Sequence, residues 1–351
     1  MVTAVPVVLS DGPTRPAGLR EMPTDGPLVD RFGRVHDDLR ISVTDRCNLR
    51  CTYCMPETGM QFLPRSELLS LDEVVRVARV ARSLGVTSVR LTGGEPLLRR
   101  GLVGLVGRLS ALGFSDLALT TNGMLLAGQA DGLAAAGLRR INISCDSLRP
   151  DRFPAIRRRG DLATVLAAMD AAEEVGLTPV KVNVVLVRGQ NEDEILDFAA
   201  FARSTDRIVR FIEFMPLDAD GRWDRSQLVS GSEVVGRISA QWPLVPVGPD
   251  GPAPAERFRF ADGRGEIGLV SSVTRPFCGT CNRLRLTADG AVRNCLFAHH
   301  ERGVRDLLRS GGTDAELAVE LRAAVWDKRP GHGINEPGFL RPARSMSMIG
   351  G

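Results

Sequence analysis

Lysine is almost missing from this 351-residue chain: Lys181 and Lys328 stand alone among 45 basic residues, and the rest are arginine. Tyrosine occurs once, as Tyr53, and aromatic residues make up only 5% of the chain. Rarity assigns no role, but it shows where to look. Charge of one sign is also lacking, because 42 acidic residues leave a formal net charge of +3. A dedicated nucleic-acid binder normally carries a strongly basic footprint, so none is expected. No apolar run approaches the roughly 20 residues needed to span a bilayer, so no membrane association is expected either. Met1 to Leu9 lacks a basic n-region and a small-residue cleavage site, which makes it a poor signal peptide. A hydrophobic content of 43% can bury a full core, and 25% charged residues of mixed sign argue against wholesale disorder. The resulting expectation is a soluble cytoplasmic protein.

Seven cysteines are present, and six fall into two tight triplets. An odd count without a secretion signal is poor material for a disulfide framework, whereas clustered thiols in a reducing compartment favour soft metals. The first triplet, Cys47-x3-Cys51-x2-Cys54, can hold three corners of a cubane iron–sulfur cluster on one short loop. Its fourth iron would lack a protein ligand. A structural zinc wants four, and the nearest histidine, His36, lies well upstream. The second triplet is Cys278-x2-Cys281-x13-Cys295. Between its members, Arg283 to Gly290 looks like a hairpin turning at Asp289-Gly290, which would return Cys295 towards the other two. Here two readings stay open: a Cys3His zinc completed by His299 or His300, and a second cluster, which the presence of the first favours. The lone Cys145 reads as a small buried hydrophobe within a strand.

Residues 1–30 carry five prolines and few aromatics, and read as a flexible leader. From Leu39 onward, strand patterns at 39–44, 86–92, 115–121, 138–145, 178–187 and 207–214 alternate with helical ones. The helical segments are 71–84, 101–112, 125–136, 161–175 and 191–203. Such alternation predicts an α/β fold with a parallel sheet and right-handed crossovers, here an incomplete (βα)6 barrel open on one side. Period-2 alternation puts Arg40 with Ser42, Arg90 with Thr92, Asn142 with Ser144, and Lys181 with Asn183 on common faces. Parallel strands are normally apolar on both faces, so four polar stripes predict a ligand-filled interior, and its cations predict an anionic ligand. After residue 215, a proline-rich passage leads to short strands at 256–261, 266–272, 283–287 and 291–295, then helices near 301–309 and 313–325. This region, 216–340, is expected to close the open side of the barrel. Residues 341–351 read as a flexible tail ending in Gly-Gly.

The C-x3-C-x2-C loop, its aromatic Tyr53, and Leu91-Thr92-Gly93-Gly94-Glu95-Pro96 resemble the radical S-adenosylmethionine (SAM) superfamily. Physically, two glycines after a strand let backbone approach a ligand closely. Over residues 30–351 the likeness narrows to the GTP 3′,8-cyclase family, which opens molybdenum cofactor biosynthesis. It is carried by Arg40 to Cys47, Arg90 to Pro96, Thr120-Thr121-Asn122-Gly123, Lys181 to Val185, Phe211 to Met215, the second cysteine triplet and the Gly-Gly end. The resemblance implies that Cys47, Cys51 and Cys54 hold a [4Fe–4S] cluster that binds SAM, with Tyr53, Gly94, Ser144 and Met215 touching SAM. It implies a second [4Fe–4S] cluster on Cys278, Cys281 and Cys295 facing GTP. Arg40, Arg90, Thr120, Lys181, Arg283 and Arg285 match GTP contacts, the choice of Thr120 over Thr121 resting on an alignment across a loop. Arg283, Arg285, Gly350 and Gly351 are the residues implied to assist turnover, as part of a lyase that joins C3′ of GTP to C8.

Partners implied are an electron donor and the next enzyme of the pathway, and a homodimer is compatible with the sequence. Two rival readings exist. A peptide-modifying radical SAM maturase would want a peptide groove and commonly more C-terminal cysteines. A nucleic-acid-binding protein with two zinc sites would want more basic charge and a fourth ligand at the first loop.

Overall fold

The alternation read from residues 39–214 is present in the computed structural model, which describes residues 19–58, 60–248 and 251–350. Strands β1 (Asp38–Ser42), β2 (Ser88–Thr92), β3 (Asp116–Thr121), β4 (Arg140–Ser144), β5 (Lys181–Leu186) and β6 (Ile208–Glu213) lie side by side in chain order. All are parallel. Between them run α1 (Leu71–Ser83), α2 (Leu102–Ser110), α3 (Ala130–Ala135), α4 (Arg152–Arg157), α5 (Leu162–Glu174) and α6 (Ile195–Ser204). Only α4 has no counterpart in the sequence pattern.

Local chemistry explains these elements. Ser70 and Glu73 form a capping box that starts α1, whose Val74, Val77, Ala78 and Ala81 are buried. Those side chains join Leu39 and Ile41 of β1 and Val89 and Leu91 of β2 in the main core. Because successive strand residues point to opposite faces, this burial leaves Arg40, Ser42, Arg90 and Thr92 facing the other way. The two strands pair in register, Arg40 opposite Arg90 and Ser42 opposite Thr92.

The C-terminal region expected to close the open side is built onto both edges of the same sheet. It begins with α7 (Gly231–Ser239), followed by β7 (Leu244–Val247), β8 (Glu256–Phe260) and β9 (Glu266–Val270). β9 pairs parallel with β6, and β8 and β7 continue outward antiparallel. β10 (Arg283–Leu286), β11 (Ala291–Arg293) and β12 (Arg302–Gly303) extend the opposite edge, β10 lying parallel to β1. Helices α8 (Arg305–Arg309), α9 (Asp314–Trp326) and α10 (Met346–Ile349) complete the described residues. Neither α7 nor β7 is legible in the sequence pattern. Gly231 and Gly236 lower the helix propensity of the first, and Pro246 sits in the second, where an outermost strand tolerates it.

Two expectations are corrected. Of the leader, residues 1–18 lie outside the described residues, but 28–30 are packed and the carbonyls of the exposed Gly26 and Pro27 are held. Leu28 is fully buried and its N–H reaches the Leu84 carbonyl at 3.0 Å, while Arg322 donates to the Gly26 and Pro27 carbonyls. The tail is docked over its described part. Ile349 is buried in a small apolar cluster with Leu217 and Phe297. Arg344 bridges Asp289 and Glu301 at 2.8 and 2.5 Å, and Arg341 pairs with Asp218.

Glu213, the last residue of β6, ties the added region to the parallel strands. Its buried carboxylate accepts the N–H groups of Gly231, Val273 and Thr274 at 3.1, 2.8 and 2.9 Å, and the Thr274 hydroxyl. Replacing it strands buried amides, each costing about 1–3 kcal/mol. Glu213→Leu should therefore lower unfolding free energy in urea by about 3 kcal/mol or more, and an unchanged midpoint would show that this seam is held elsewhere.

Candidate active site

Cys47, Cys51 and Cys54 follow β1 on the loop at its C-terminal end, where α/β barrels place their chemistry. All three line one cavity of about 1040 Å³, together with Tyr53, Gly94, Thr120, Ser144 and Met215. The SAM-contact residues expected from the sequence are thus brought together. Among the described residues, no histidine and no fourth cysteine lines this cavity. That donor set fits a [4Fe–4S] cluster with one iron left open to a small-molecule ligand. His36 is elsewhere: it is buried against Asp30 at 3.0 Å, and burial brings its pKa down to about 4. Burial pushes the Cys47 thiol up to about 11 and raises Cys51 and Cys54 as well. Thiolates there need a compensating cation, which cluster iron would supply.

A buried cluster of charges organises the loop. Arg157, on α4, pairs with Asp146 at 2.8 Å and directs another nitrogen at the Cys51 sulfur, 3.5 Å away. Asp146 also accepts the Tyr53 hydroxyl at 2.6 Å and the Val185 N–H at 2.9 Å. Asp146 and Arg157 escape the sequence reading. Asp146 lies two residues beyond the Asn142–Ser144 stripe, which is the only signal available, and Arg157 has none.

The two glycines of Gly93-Gly94-Glu95-Pro96 line the cavity and also have a packing role that the sequence pattern does not indicate. A Cβ at Gly94 would fall on the backbone carbonyls of Arg46 and Asp45, and one at Gly93 on that of Thr44. Their smallness lets the segment press against the start of the cysteine loop. Glu95 accepts the Thr121 hydroxyl and the Asn122 N–H, both at 2.7 Å, and burial raises its pKa to about 7. Thr121 is thereby occupied, whereas Thr120 faces Asn142, which donates to it at 3.1 Å.

Below this cavity the cations converge. Arg40 of β1 lies in register with Arg90 of β2 on one side and Arg285 of β10 on the other, and Asp38 lies opposite Arg283. Arg283 and Arg285 are buried, and the Arg40 side chain is 12% exposed. Burial, reinforced by the arginines' mutual repulsion, lowers the pKa of Arg40 and Arg285. Burial opposes ionisation of Asp38 too, but the four arginines outweigh it and hold the carboxyl below its usual range. Lys181, in register with Asn142, is brought down to about 7 by burial, then by Arg210, Arg140 and Arg90. Arg210, missed in the sequence, sits in register with Asn183. Among the described residues, buried nitrogens of Arg40, Arg90 and Arg283 have no hydrogen-bond partner. One carboxylate among four arginines leaves a demand for an anion.

The second triplet also converges. Asp289-Gly290 turns the β10–β11 hairpin as expected, with Gly290 at φ 83°, and Cys278, Cys281 and Cys295 line a second cavity of about 1300 Å³. His299 and His300 line it too, as does His332, which the sequence reading did not single out. Lys328 is buried and donates to the Cys281 sulfur at 3.2 Å and the Arg283 carbonyl at 3.0 Å. Burial opposes ionisation of Cys281, but Arg283 and Lys328 prevail and bring it to about 6. The lone Cys145 is fully buried, as read.

The tail reaches both parts of the site. Ser347 lines the first cavity and its N–H points at the Cys54 sulfur. The Gly350 carbonyl accepts from Arg285 at 2.6 Å. Gly350 has φ 77° and lies so close to Ser42 and Thr92 that a Cβ would meet them at 3.0 and 2.8 Å. Gly351 lies outside the described residues.

Removing Arg157 would leave the Asp146 carboxylate buried without its cation, a loss of about 3–5 kcal/mol. Arg157→Met should show it as a lowered urea midpoint in the iron-free, reduced chain, where cluster loss cannot contribute. A wild-type midpoint would remove the ion pair from the account of this loop.

Residues 41–202 match the radical SAM superfamily, and residues 207–334 match the Molybdenum Cofactor Synthesis C family. Among solved structures, Streptococcus suis SuiB bound to S-adenosylmethionine aligns with TM-score 0.56 and 14% identity, over 89% of this chain and 66% of that one. Native anSMEcpe with bound AdoMet aligns with TM-score 0.53 and 16% identity, over 85% and 82%. At such identities the likeness concerns the fold, so it lends the maturase reading no support. Two of the closer relatives are named GTP 3′,8-cyclase. One, from Streptomyces coelicolor, is 51% identical over 328 residues, 92% of this chain and 96% of that protein. The other, from Mycobacterium sp. strain KMS, is 49% identical over 341 residues, 96% and 97% of the two. This chain therefore belongs to the GTP 3′,8-cyclase family of the radical SAM superfamily.

Proposed function

We propose that this chain converts GTP into (8S)-3′,8-cyclo-7,8-dihydroguanosine 5′-triphosphate, the first step of molybdenum cofactor biosynthesis. The observation that carries this reading is the set of cations Arg40, Arg90, Arg283 and Arg285 gathered on β1, β2 and β10, the strands from which both cysteine triplets are hung. When bound, the reduced [4Fe–4S] cluster with SAM would supply a 5′-deoxyadenosyl radical to take the C3′ hydrogen; C3′ would then bond to guanine C8 as the C8–N7 double bond opens, and one electron from the donor with one proton would complete the 7,8-dihydro product. Everything else falls to the protein. Cys47, Cys51 and Cys54 would hold that cluster, and Tyr53, Gly94, Ser144 and Met215 would line the SAM site. Arg40, Arg90, Lys181, Arg283 and Arg285 would offset the triphosphate charge, and the buried nitrogens of Arg40, Arg90 and Arg283 that lack a partner among the described residues would gain acceptors. Thr120, whose hydroxyl accepts from Asn142 and keeps its own proton to donate, would face the substrate.

A second [4Fe–4S] cluster on Cys278, Cys281 and Cys295, with GTP at its open iron, belongs to the same proposal. Arg283 and Lys328 favour a thiolate at Cys281, which suits either that cluster or a zinc completed by an imidazole. Gly350, on Arg285, would assist turnover together with Gly351. The bond-forming cyclisation makes the enzyme a lyase that draws on an electron donor and passes its product to the next enzyme of the pathway. A cytoplasmic location is part of this proposal; no helix among the described residues is long and apolar enough to cross a membrane.

Iron, sulfide and zinc counts on anaerobically reconstituted protein test the cofactor assignment. About eight iron atoms should fall to about four when Cys278, Cys281 and Cys295 are all changed to Ala, as two cubanes require. About four in both proteins, with one zinc lost in the variant, would make the second site structural. Cys51→Ala should abolish SAM cleavage.

Lys181 offers an independent check on the substrate. In the free protein its pKa of about 7 leaves it mostly neutral at pH 8. A bound triphosphate favours the charged form, raises that pKa and draws a proton from solution. Calorimetry of GTP binding at pH 8, in buffers of different ionisation enthalpy, should show uptake approaching about one proton per chain, and clearly less for Lys181→Met. Equal uptake in both proteins would place the triphosphate elsewhere.

A further inference from the structure

On the outer side of the first cysteine loop lies an open groove of about 1540 Å³, lined by Arg46, Arg65, Arg99, Arg100 and Arg309 and, among the described residues, by no acidic residue. Cys47 lines this groove and the inner cavity alike, so the two meet at that residue. We propose that the groove is the docking surface for an acidic one-electron carrier protein. The inference rests on the reading that Cys47, Cys51 and Cys54 hold the cluster, and it names the partner that would reduce it.

The charge of the groove is unusual for this molecule. Many exposed or half-exposed arginines are neutralised by a carboxylate, as Arg149 is by Asp193 and Asp197, Arg203 by Asp262, and Arg302 by Glu320 and Asp327. Arg46, Arg65 and Arg100 are exposed and, among the described residues, have no carboxylate partner. Arg309 pairs with Glu73 at 2.8 Å, and Arg99 donates to the Leu69 carbonyl at 2.6 Å, so these two are fixed in place. Phe62 holds Arg46 by a cation–π contact, 5.6 Å from its ring centre.

The surface also has an apolar component. Leu98, 40% exposed, and the half-buried Phe62 both line the groove. A free inorganic anion or small nucleotide gains nothing from exposed leucine, whereas a protein partner buries it. Unpaired cations around such a patch attract and orient an acidic protein, and the attraction weakens with salt. An electron delivered there arrives beside a cluster ligand instead of crossing the substrate site.

The test uses the reconstituted holoenzyme under anaerobic conditions with a purified flavodoxin, an acidic one-electron carrier, as probe. Cluster bleaching is followed by stopped flow, and affinity for the oxidised carrier by calorimetry. Arg65→Glu/Arg100→Glu should weaken carrier binding and slow carrier-driven reduction by about tenfold or more at low salt, and the wild-type rate should fall as salt is added. Reduced methyl viologen, a small cation, should reduce the double variant at least as fast as wild type. Undiminished binding and reduction by flavodoxin would overturn the proposal. Equal slowing with methyl viologen would overturn it too, by showing that the two arginines only maintain the loop. The reading beneath it fails separately, if Cys47→Ala/Cys51→Ala/Cys54→Ala retains the full iron complement.

Discussion

Cationic crowding on the inner face of β10, β1 and β2 is the constraint to which much of this molecule is fitted. Register places Arg285, Arg40 and Arg90 side by side, where a parallel sheet would ordinarily carry aliphatic side chains. Asp38 offsets part of that charge. The opposing face therefore has to supply the cohesion, and there Leu39, Ile41, Val89 and Leu91 are almost completely buried. A fold arranged in this way is stabilised by whatever anion it binds, because only the folded chain gathers these guanidinium groups.

The two cysteine cavities flank that interior, and each is set by a different device. The first depends on close backbone approach, with Gly93 and Gly94 pressed on Thr44 to Arg46, and on the Arg157–Asp146–Tyr53 cluster beneath the loop. The second depends on the β10–β11 hairpin and on Lys328, one of only two lysines in the chain, holding Cys281. Since β10 pairs with β1, the second cavity inherits its position from the same strand that leads into the first loop.

Much of this was legible in the sequence because it is encoded locally. Cysteine spacing marked both triplets, Asp289-Gly290 marked the hairpin, and period-2 alternation marked Arg40, Arg90 and Lys181 as facing inward. What escaped depends on distant contacts. Nothing near Arg283 says that β10 will lie parallel to β1, more than two hundred residues away, and nothing near Arg157 announces Asp146 as its partner. Gly93 and Gly94 were legible as a tight turn, but the object they approach could not be read from spacing. Composition misled at both ends of the chain. Proline suggested a loose segment where Leu28 is buried, and small residues suggested a loose tail where Ile349 is anchored.

The placement of Gly350 has a practical consequence. Its carbonyl sits on Arg285, among strand residues too close to admit even one extra carbon atom. A side chain placed at this position must find room in the interior or pull the last turn out of it. A screen that varies this residue would therefore report first on whether the end of the chain stays seated, and only then on chemistry.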